Sequence, residues 1–234
     1  MTNSRGFNLI TQKELPNNGF YIRINVTDKL TSLQNIFKSL IDLSWIDSFF
    51  SNDEWLKESM QERSLITIRK ISEDFDHGQN PSIKKETGEK MISEISRRTL
   101  IEDFDYWAMP IAELFKQKAD GNPGFDFHTM IIEDEVLMFG EAKYITGYTA
   151  YNSAMNQIGT FIDQRKDIRD LAEVAYFMPN SNPLNKAVNN IKGYVAAFST
   201  NGQSDEYIIP KVIHHRNYNK LSQYYRFIAI AIDI

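Results

Sequence analysis

Two short apolar segments follow each other between Gly124 and Lys143, and they constrain the fold more than any other feature of the chain. The first covers residues 125–133 and the second residues 135–144, with an acidic turn around residues 133–135. Apolar runs of this length, bounded by turn residues, are typical of β-strands. We therefore expect a hairpin whose two strands pair side by side.

The patterns around this hairpin predict the rest of the fold. Apolar residues at helical spacing favour a helix over residues 88–118, with a kink or restart at Pro110, which cannot donate the intrahelical hydrogen bond. Beyond the hairpin, spacing predicts two helices and then three strands, over residues 149–164 and 168–178 and over residues 193–200, 207–214 and 226–234. This order predicts an α/β (α+β) fold in which helices flank a mixed central sheet.

The N-terminal part of the chain carries its own patterns. They predict a strand, a helix and a second strand, over residues 19–27, 31–50 and 62–71. The polar stretch 72–87 shows no periodicity, so it is the best candidate for a domain boundary. We therefore expect an N-terminal accessory or interaction region, residues 1–80, followed by a core of residues 86–234.

Composition excludes several classes of function. Of the 234 residues, 42% are hydrophobic and 24% charged, which is ordinary for a globular protein. The absence of cysteine excludes a disulfide framework and a thiolate metal site. Because the sequence shows neither a signal peptide nor an apolar run long enough to cross a bilayer, we expect a cytoplasmic protein that does not bind membranes.

Charge bears on nucleic-acid binding. The formal net charge of −5 argues against tight, unaided binding to nucleic acid, where phosphate contacts dominate affinity. Basic clusters such as Arg165-Lys166 could still form a local patch, although a solvated surface is the commoner explanation. No glycine-rich phosphate loop occurs, so we expect this chain not to hydrolyse nucleotides itself.

Acidic and basic side chains converge at the predicted hairpin. Asp126 stands at the head of its first strand, and Glu141 and Lys143 stand near the end of the second. Side chains alternate along a strand, so Glu141 and Lys143 share one face, as Asp126 and His128 do. If the strands pair, two carboxylates and an ammonium meet at one site. Such a site suits Mg²⁺ (or Mn²⁺) bound to a phosphate, and a structural salt bridge is the alternative.

Asp126 and the triplet Glu-Ala-Lys at residues 141–143 resemble the signature of the PD-(D/E)xK, or restriction-endonuclease-like, nuclease superfamily. The proline of that signature is matched only loosely, by Pro123. More narrowly, residues 124–128 and 139–144 resemble the nuclease subunits of the Hachiman anti-phage defence system, which act beside a helicase. The resemblance implies a restriction-endonuclease-like core, metal-dependent hydrolysis of DNA and a helicase or ATPase partner.

The resemblance also implies roles for single residues. Asp126 and Glu141 match the metal ligands, and Lys143 matches the catalytic lysine. Superfamily members often carry a polar residue on the helix after the lysine, a position that Gln157 matches. Some carry a glutamate on the first helix, and Glu113 is the candidate here.

For each of the accessory residues, an explanation without a role in catalysis remains open. Gln157 is equally explained as an amide on a helix surface, and Glu113 as a solvated residue near a helix N-terminus. His128 could contact substrate or a second metal, but a hydrogen-bonded structural histidine is the commoner case. For the whole chain, the alternative to a nuclease is a non-catalytic interaction subunit, or a DNA-binding subunit, with a nuclease-like core.

Overall fold

A six-stranded mixed sheet forms the centre of the protein in a computed structural model that describes residues 4–76, 85–115 and 124–234. Its strands in chain order are β1 (Phe7–Glu14), β2 (Gly19–Val26), β3 (Phe127–Ile131), β4 (Val136–Lys143), β5 (Gly193–Ser199) and β6 (Arg226–Asp233). Their order across the sheet is β1-β2-β6-β5-β4-β3. The outer pairs β1–β2 and β3–β4 are antiparallel, and the inner neighbours are parallel. The predicted mixed α/β fold is therefore confirmed.

Helices cover both faces of the sheet. They are α1 (Lys29–Ile41), α2 (Ser44–Phe49), α3 (Glu54–Asp76), α4 (Lys85–Phe104), α5 (Ala112–Phe115), α6 (Ala150–Asp163), α7 (Lys166–Val174), α8 (Asn182–Val188), α9 (Asp205–Ile213) and α10 (Tyr218–Leu221). Helix α6 packs on β4 and β5 from one side, and α4 packs on the same strands from the other. Across the described ranges, no helix combines the length and apolarity that crossing a bilayer requires.

The inner strands are buried on both faces, which explains their continuous apolar character. Every residue of β5 is buried. Tyr194 and Ala196 face the core beneath α6, whereas Val195 and Ala197 face the core beneath α4. The hairpin β3–β4 closes one side of this sheet, and the strands predicted over residues 125–133 and 135–144 are thus confirmed.

Residues 62–71 lie within α3, so the strand predicted there is wrong. The β-branched residues of this run favour a strand locally. Two hydroxyls three residues apart instead bind the neighbouring helix: Ser64 Oγ donates to the carbonyl of Leu114 at 3.1 Å, and Thr67 Oγ1 donates to that of Glu113 at 3.0 Å. Contacts to α5 therefore outweigh the local propensity.

Residues 207–214 are also helical rather than extended, since α9 runs through most of them. Ser204 occupies the N-cap position and Asp205 the first turn, which is the residue distribution that favours a helix start. Ile208 and Val212, four residues apart, are the buried side chains. The apolar spacing that matters here is therefore helical.

Two further predictions are refined by the structure. The helix expected over residues 31–50 is two helices, because Asp42 Oδ1 accepts a hydrogen bond from Ser44 N at 2.9 Å and a new helix starts there. The restart expected at Pro110 is confirmed, since α4 ends at Phe104 and α5 begins at Ala112.

The N-terminal strands belong to the same sheet as the rest. β2 pairs in parallel with β6, and β1, which the sequence did not predict, pairs with β2 at the sheet edge. Half of the side chains of β1 are exposed and only Phe7 is buried, so its apolar alternation is weak. The boundary predicted at residue 80 lies within residues 77–84, outside the described residues, and the division into two regions stays a prediction.

Candidate metal centre

The start of β3 brings the carboxylate of Asp126 to the end of β4, next to Glu141. Phe127 pairs with Gly140, and the main-chain N–H of Asp126 donates to the carbonyl of Gly140 at 2.9 Å. Asp126 and Phe127 thus both lie opposite Gly140, an irregularity of the β-bulge type that ends the regular ladder before Glu141. Asp126 Oδ2 also accepts a hydrogen bond from Ala142 N at 2.8 Å, which fixes its carboxylate at the end of β4.

The register depends on one close approach between the two strands. A Cβ atom at Gly140 would lie 2.3 Å from the ring of Phe127, so the ring rests directly on the glycine. No larger residue fits without displacement of the ring or of the strand. Residues 139–143 thus contribute to the site in two ways. Glu141 and Lys143 supply the charges, and Gly140 allows the two strands to approach closely.

Glu141 and Lys143 form a buried ion pair on one face of β4. Lys143 Nζ lies 2.7 Å from Glu141 Oε1, and the Glu141 side chain is only 1% exposed. Its second oxygen, Oε2, is buried and accepts no hydrogen bond within the part of the chain that the structure describes. A buried carboxylate oxygen without a donor costs free energy, which a bound cation would offset.

A third carboxylate, Glu89, lies at the same ammonium. Glu89 Oε1 is 3.7 Å from Lys143 Nζ, on the side of the sheet edge that α4 covers. Its position depends on Gly88, where a Cβ would lie 2.3 Å from the ring of Tyr144 and would push α4 away. Glu89 was missed in the sequence, where only the glycine of a Gly-Glu pair in a helical segment hints at a close approach.

The electrostatics of the site favour a cation. Burial raises the pKa of Glu141 well above its usual value, the charge of Asp126 raises it further, and Lys143 only partly offsets these effects. Burial alone would lower the pKa of Lys143, but Glu141, Asp126 and Glu89 together raise it above its usual value. Both directions have one origin, an excess of carboxylates around a single ammonium. Such an excess binds either a proton or a metal ion.

The donor set fits a hard divalent ion. Asp126 and Glu141 would supply oxygen ligands, as Mg²⁺ and Mn²⁺ prefer. Among the described residues, no group of three or more His, Asp or Glu side chains is arranged to hold a metal ion. Magnesium is commonly held by one or two carboxylates, with water and substrate phosphate completing its shell. The two-carboxylate arrangement therefore suits an ion that is shared with a phosphate.

His128 serves the structure around the site. Its Nε2 lies 3.1 Å from Asp170 Oδ2, which also accepts a hydrogen bond from Phe125 N at 3.3 Å. The imidazole is buried and packs against Phe139, with ring centroids 5.4 Å apart. These contacts tie α7 to β3, so they favour the hydrogen-bonded structural histidine over a substrate contact.

Glu113 and Gln157 are less directly connected to the centre. Glu113 lies on the short helix α5, where the neighbouring Ala112 N donates to the carbonyl of Asp126 at 3.3 Å. The helix glutamate paired with Lys143 is nonetheless Glu89. Gln157 is half-buried on α6, where the buried part of the helix packs on β4 and β5. The roles expected for Glu113 and Gln157 stay predictions.

Comparison with protein-family models and with curated proteins finds no match. The resemblance to PD-(D/E)xK nucleases therefore depends on the residues themselves. What the geometry adds is the meeting of Asp126, Glu141 and Lys143 at the end of a buried strand. Ligands of open α/β sheets bind at this edge, beyond the carboxyl ends of the parallel strands.

Proposed function

We propose that this protein is a metal-dependent nuclease that hydrolyses DNA phosphodiester bonds with Mg²⁺ or Mn²⁺. One observation carries the proposal. The carboxylate of Glu141 is 1% exposed, the carboxylate of Asp126 is held on the N–H of the next residue, Ala142, and the only ion pair of Glu141 within the described ranges is with Lys143. A purely structural role would require a buried pair with further hydrogen bonds, because an ion pair alone does not repay its desolvation.

Each side chain has a chemical role in this proposal. Asp126 and Glu141 would hold the ion, and Lys143 would contact the scissile phosphate or the attacking water. When bound, the ion supplies polarisation of a phosphoryl oxygen and a lower pKa for water. In the hydrolysis, a water oxygen forms a bond to phosphorus, the bond from phosphorus to the leaving oxygen breaks, and that oxygen takes up a proton. The ammonium of Lys143 stabilises the negative charge that gathers on the phosphoryl oxygens.

The cellular role that we propose rests on the resemblance to anti-phage nuclease subunits alone. The nuclease would act in the cytoplasm as the effector subunit of an anti-phage defence complex, beside a helicase or ATPase partner. Because the net charge is −5, we expect the partner to supply many of the contacts to the DNA phosphates. The absence of a nucleotide-binding loop also assigns the ATP-driven step to another chain.

The second candidate is a non-catalytic interaction or DNA-binding subunit with a nuclease-like core. One observation favours it: within the described ranges, no three or more His, Asp or Glu side chains are arranged to hold one metal ion. In that case the Glu141–Lys143 pair is a salt bridge that fixes the end of β4. Metal ions would then leave the melting temperature of the protein unchanged.

Cleavage of circular and linear DNA by the purified protein, alone and with its neighbouring gene products, tests the proposal. The assay contains Mg²⁺ or Mn²⁺ and compares the protein with the double variant Glu141→Gln/Lys143→Met. The matched control, Glu133→Gln/Lys13→Met, changes the same residue types at exposed positions. We expect cleavage by the protein and the control only. Equal cleavage by the double variant would assign the activity to another site, and no metal-dependent cleavage in any mixture would favour the non-catalytic subunit.

A further inference from the structure

A basic ridge lies beside the candidate centre, at the start of α7. It consists of Arg165, Lys166 and Arg169. The side chains of Arg165 and Arg169 are exposed, whereas Lys166 is 7% exposed. The ridge belongs to a chain of formal charge −5, so its origin requires an explanation.

Two of the three acidic residues of the same helix are turned inward and neutralised, and the third, Glu173, is half-buried. Asp167 is 2% exposed, forms an ion pair with Lys192 and accepts a hydrogen bond from the Tyr194 hydroxyl at 2.9 Å. Asp170 is buried against His128. Two carboxylates of α7 are thus paired inside, whereas the guanidinium groups of Arg165 and Arg169 lie outside. The surface therefore carries a local positive potential that the net charge of the chain conceals.

The neighbouring exposed acid does not cancel the ridge. Asp163, at the end of α6, lies 2.6 Å from the ammonium of Lys220. Arg169 Nη2 donates to the carbonyl of Gln164 at 2.6 Å, which holds its guanidinium beside Arg165 at the junction of α6 and α7. The remaining donors of these guanidinium groups can bind phosphate oxygens, since each group carries five N–H donors.

Arg165 occupies a backbone position that favours glycine. Its φ is +54° and its ψ is +37°, in the left-handed region that L-residues with a Cβ adopt at a cost. Glycine is the usual residue at such a point after a helix. An arginine here weakens the fold locally, which is understandable if its charge has a function.

Packing connects the ridge to the candidate centre. Lys166 Nζ lies 4.4 Å from the ring centroid of Phe161, and that ring packs edge to face on Phe125 at 5.1 Å. Phe125 directly precedes Asp126, whose carboxylate accepts a hydrogen bond from Ala142 N beside Glu141. Glu141 pairs with Ala196, which belongs to the same core as Phe125 and Phe161, so the start of α7 lies on the face of the sheet that carries Glu141.

We propose that Arg165, Lys166 and Arg169 bind the phosphate backbone of the DNA on one side of the scissile bond. The inference rests on the proposed function, because the DNA must reach the same edge of the sheet. The ridge is then the part of the chain that binds the substrate on this side. These contacts are independent of base sequence, since backbone contacts position DNA without reading it.

Equilibrium binding of a short labelled DNA duplex, and of the matching single strand, tests the proposal in buffer containing EDTA, where cleavage does not occur. Arg165→Gly is the decisive variant, because glycine removes the charge and relieves the positive φ. Lys166→Met keeps most of the packing on Phe161 without the charge. Lys38→Ala on α1 is the control for loss of one exposed positive charge elsewhere.

We expect Arg165→Gly to raise the melting temperature and yet to weaken binding several-fold at low salt. The slope of log K against log salt concentration should fall by about 1 for each lost phosphate contact. If Arg165→Gly and Lys166→Met bind the DNA as tightly as Lys38→Ala does, the ridge does not bind the phosphate backbone. DNA binding that depends on the ridge in a protein that never cleaves DNA would support this inference and refute the nuclease proposal.

Discussion

The ring of Phe127 rests on the backbone of Gly140, where an added Cβ would lie 2.3 Å away. This contact fixes the register in which Phe127 pairs with Gly140, and in that register the carboxylate of Asp126 reaches the N–H of Ala142, next to Glu141. A slip by one residue would turn every side chain of a strand to the other face and would separate the two carboxylates. The candidate centre therefore depends on a residue that carries no functional group.

Replacement of this glycine should damage both the fold and the site. We expect Gly140→Ala to lower the free energy of unfolding by about 1–3 kcal/mol, because the Phe127 ring or the strand must move. Metal-dependent cleavage should fall with it. Chemical denaturation measures the first effect, and Gly147→Ala is the control, since its nearest neighbour would be 3.9 Å from the new Cβ. Equal stability of the two variants would show that the close contact does not fix the register.

The raised pKa of Glu141 predicts a pH-dependent stability in the absence of metal. A carboxyl group whose pKa is higher in the folded state contributes stability that is complete below its unfolded pKa and is lost as the pH rises through the folded pKa. We expect the free energy of unfolding of the unsubstituted protein to fall by up to about 1.4 kcal/mol per pH unit in that window, relative to Glu141→Gln. Denaturant titrations in EDTA at a series of pH values measure it. If the free energy of unfolding changes with pH in the same way in both proteins, Glu141 does not have a raised pKa in the folded state.

Glu89 should support the centre without being indispensable. Glu89→Gln removes one of three carboxylates around Lys143 and leaves the Glu141 ion pair in place. We expect cleavage to slow by roughly tenfold, which corresponds to about 1.4 kcal/mol. Steady-state cleavage rates measure the effect beside Glu58→Gln, an exposed helix glutamate. Complete loss of activity would make Glu89 a principal ligand, and no loss would make it structural.

His128 should matter for stability and not for metal binding. His128→Gln weakens the contact to Asp170, and we expect a loss of about 1–3 kcal/mol in the free energy of unfolding. The affinity for Mn²⁺ should remain unchanged. His214→Gln is the control, because His214 is exposed at the end of α9. Weaker Mn²⁺ binding by the first variant alone would show that His128 is a metal ligand.

The hairpin and its site could be predicted because their signals are local. The spacing of Glu141 and Lys143 along one strand fixes their shared face over a few residues. Glu89 could not be predicted, since its place depends on the distant packing of Gly88 on Tyr144. The helix at residues 62–71 was missed for the same reason, because its hydroxyls bind the distant helix α5.

Calorimetric titration of Mn²⁺ into the metal-free protein at mildly alkaline pH tests the account most directly. Binding must displace the proton that the raised pKa of Glu141 retains, so affinity should increase with pH. We predict a binding site in the unsubstituted protein that is lost in both Asp126→Asn and Glu141→Gln. The same Mn²⁺ affinity in all three proteins would contradict a shared ion between Asp126 and Glu141.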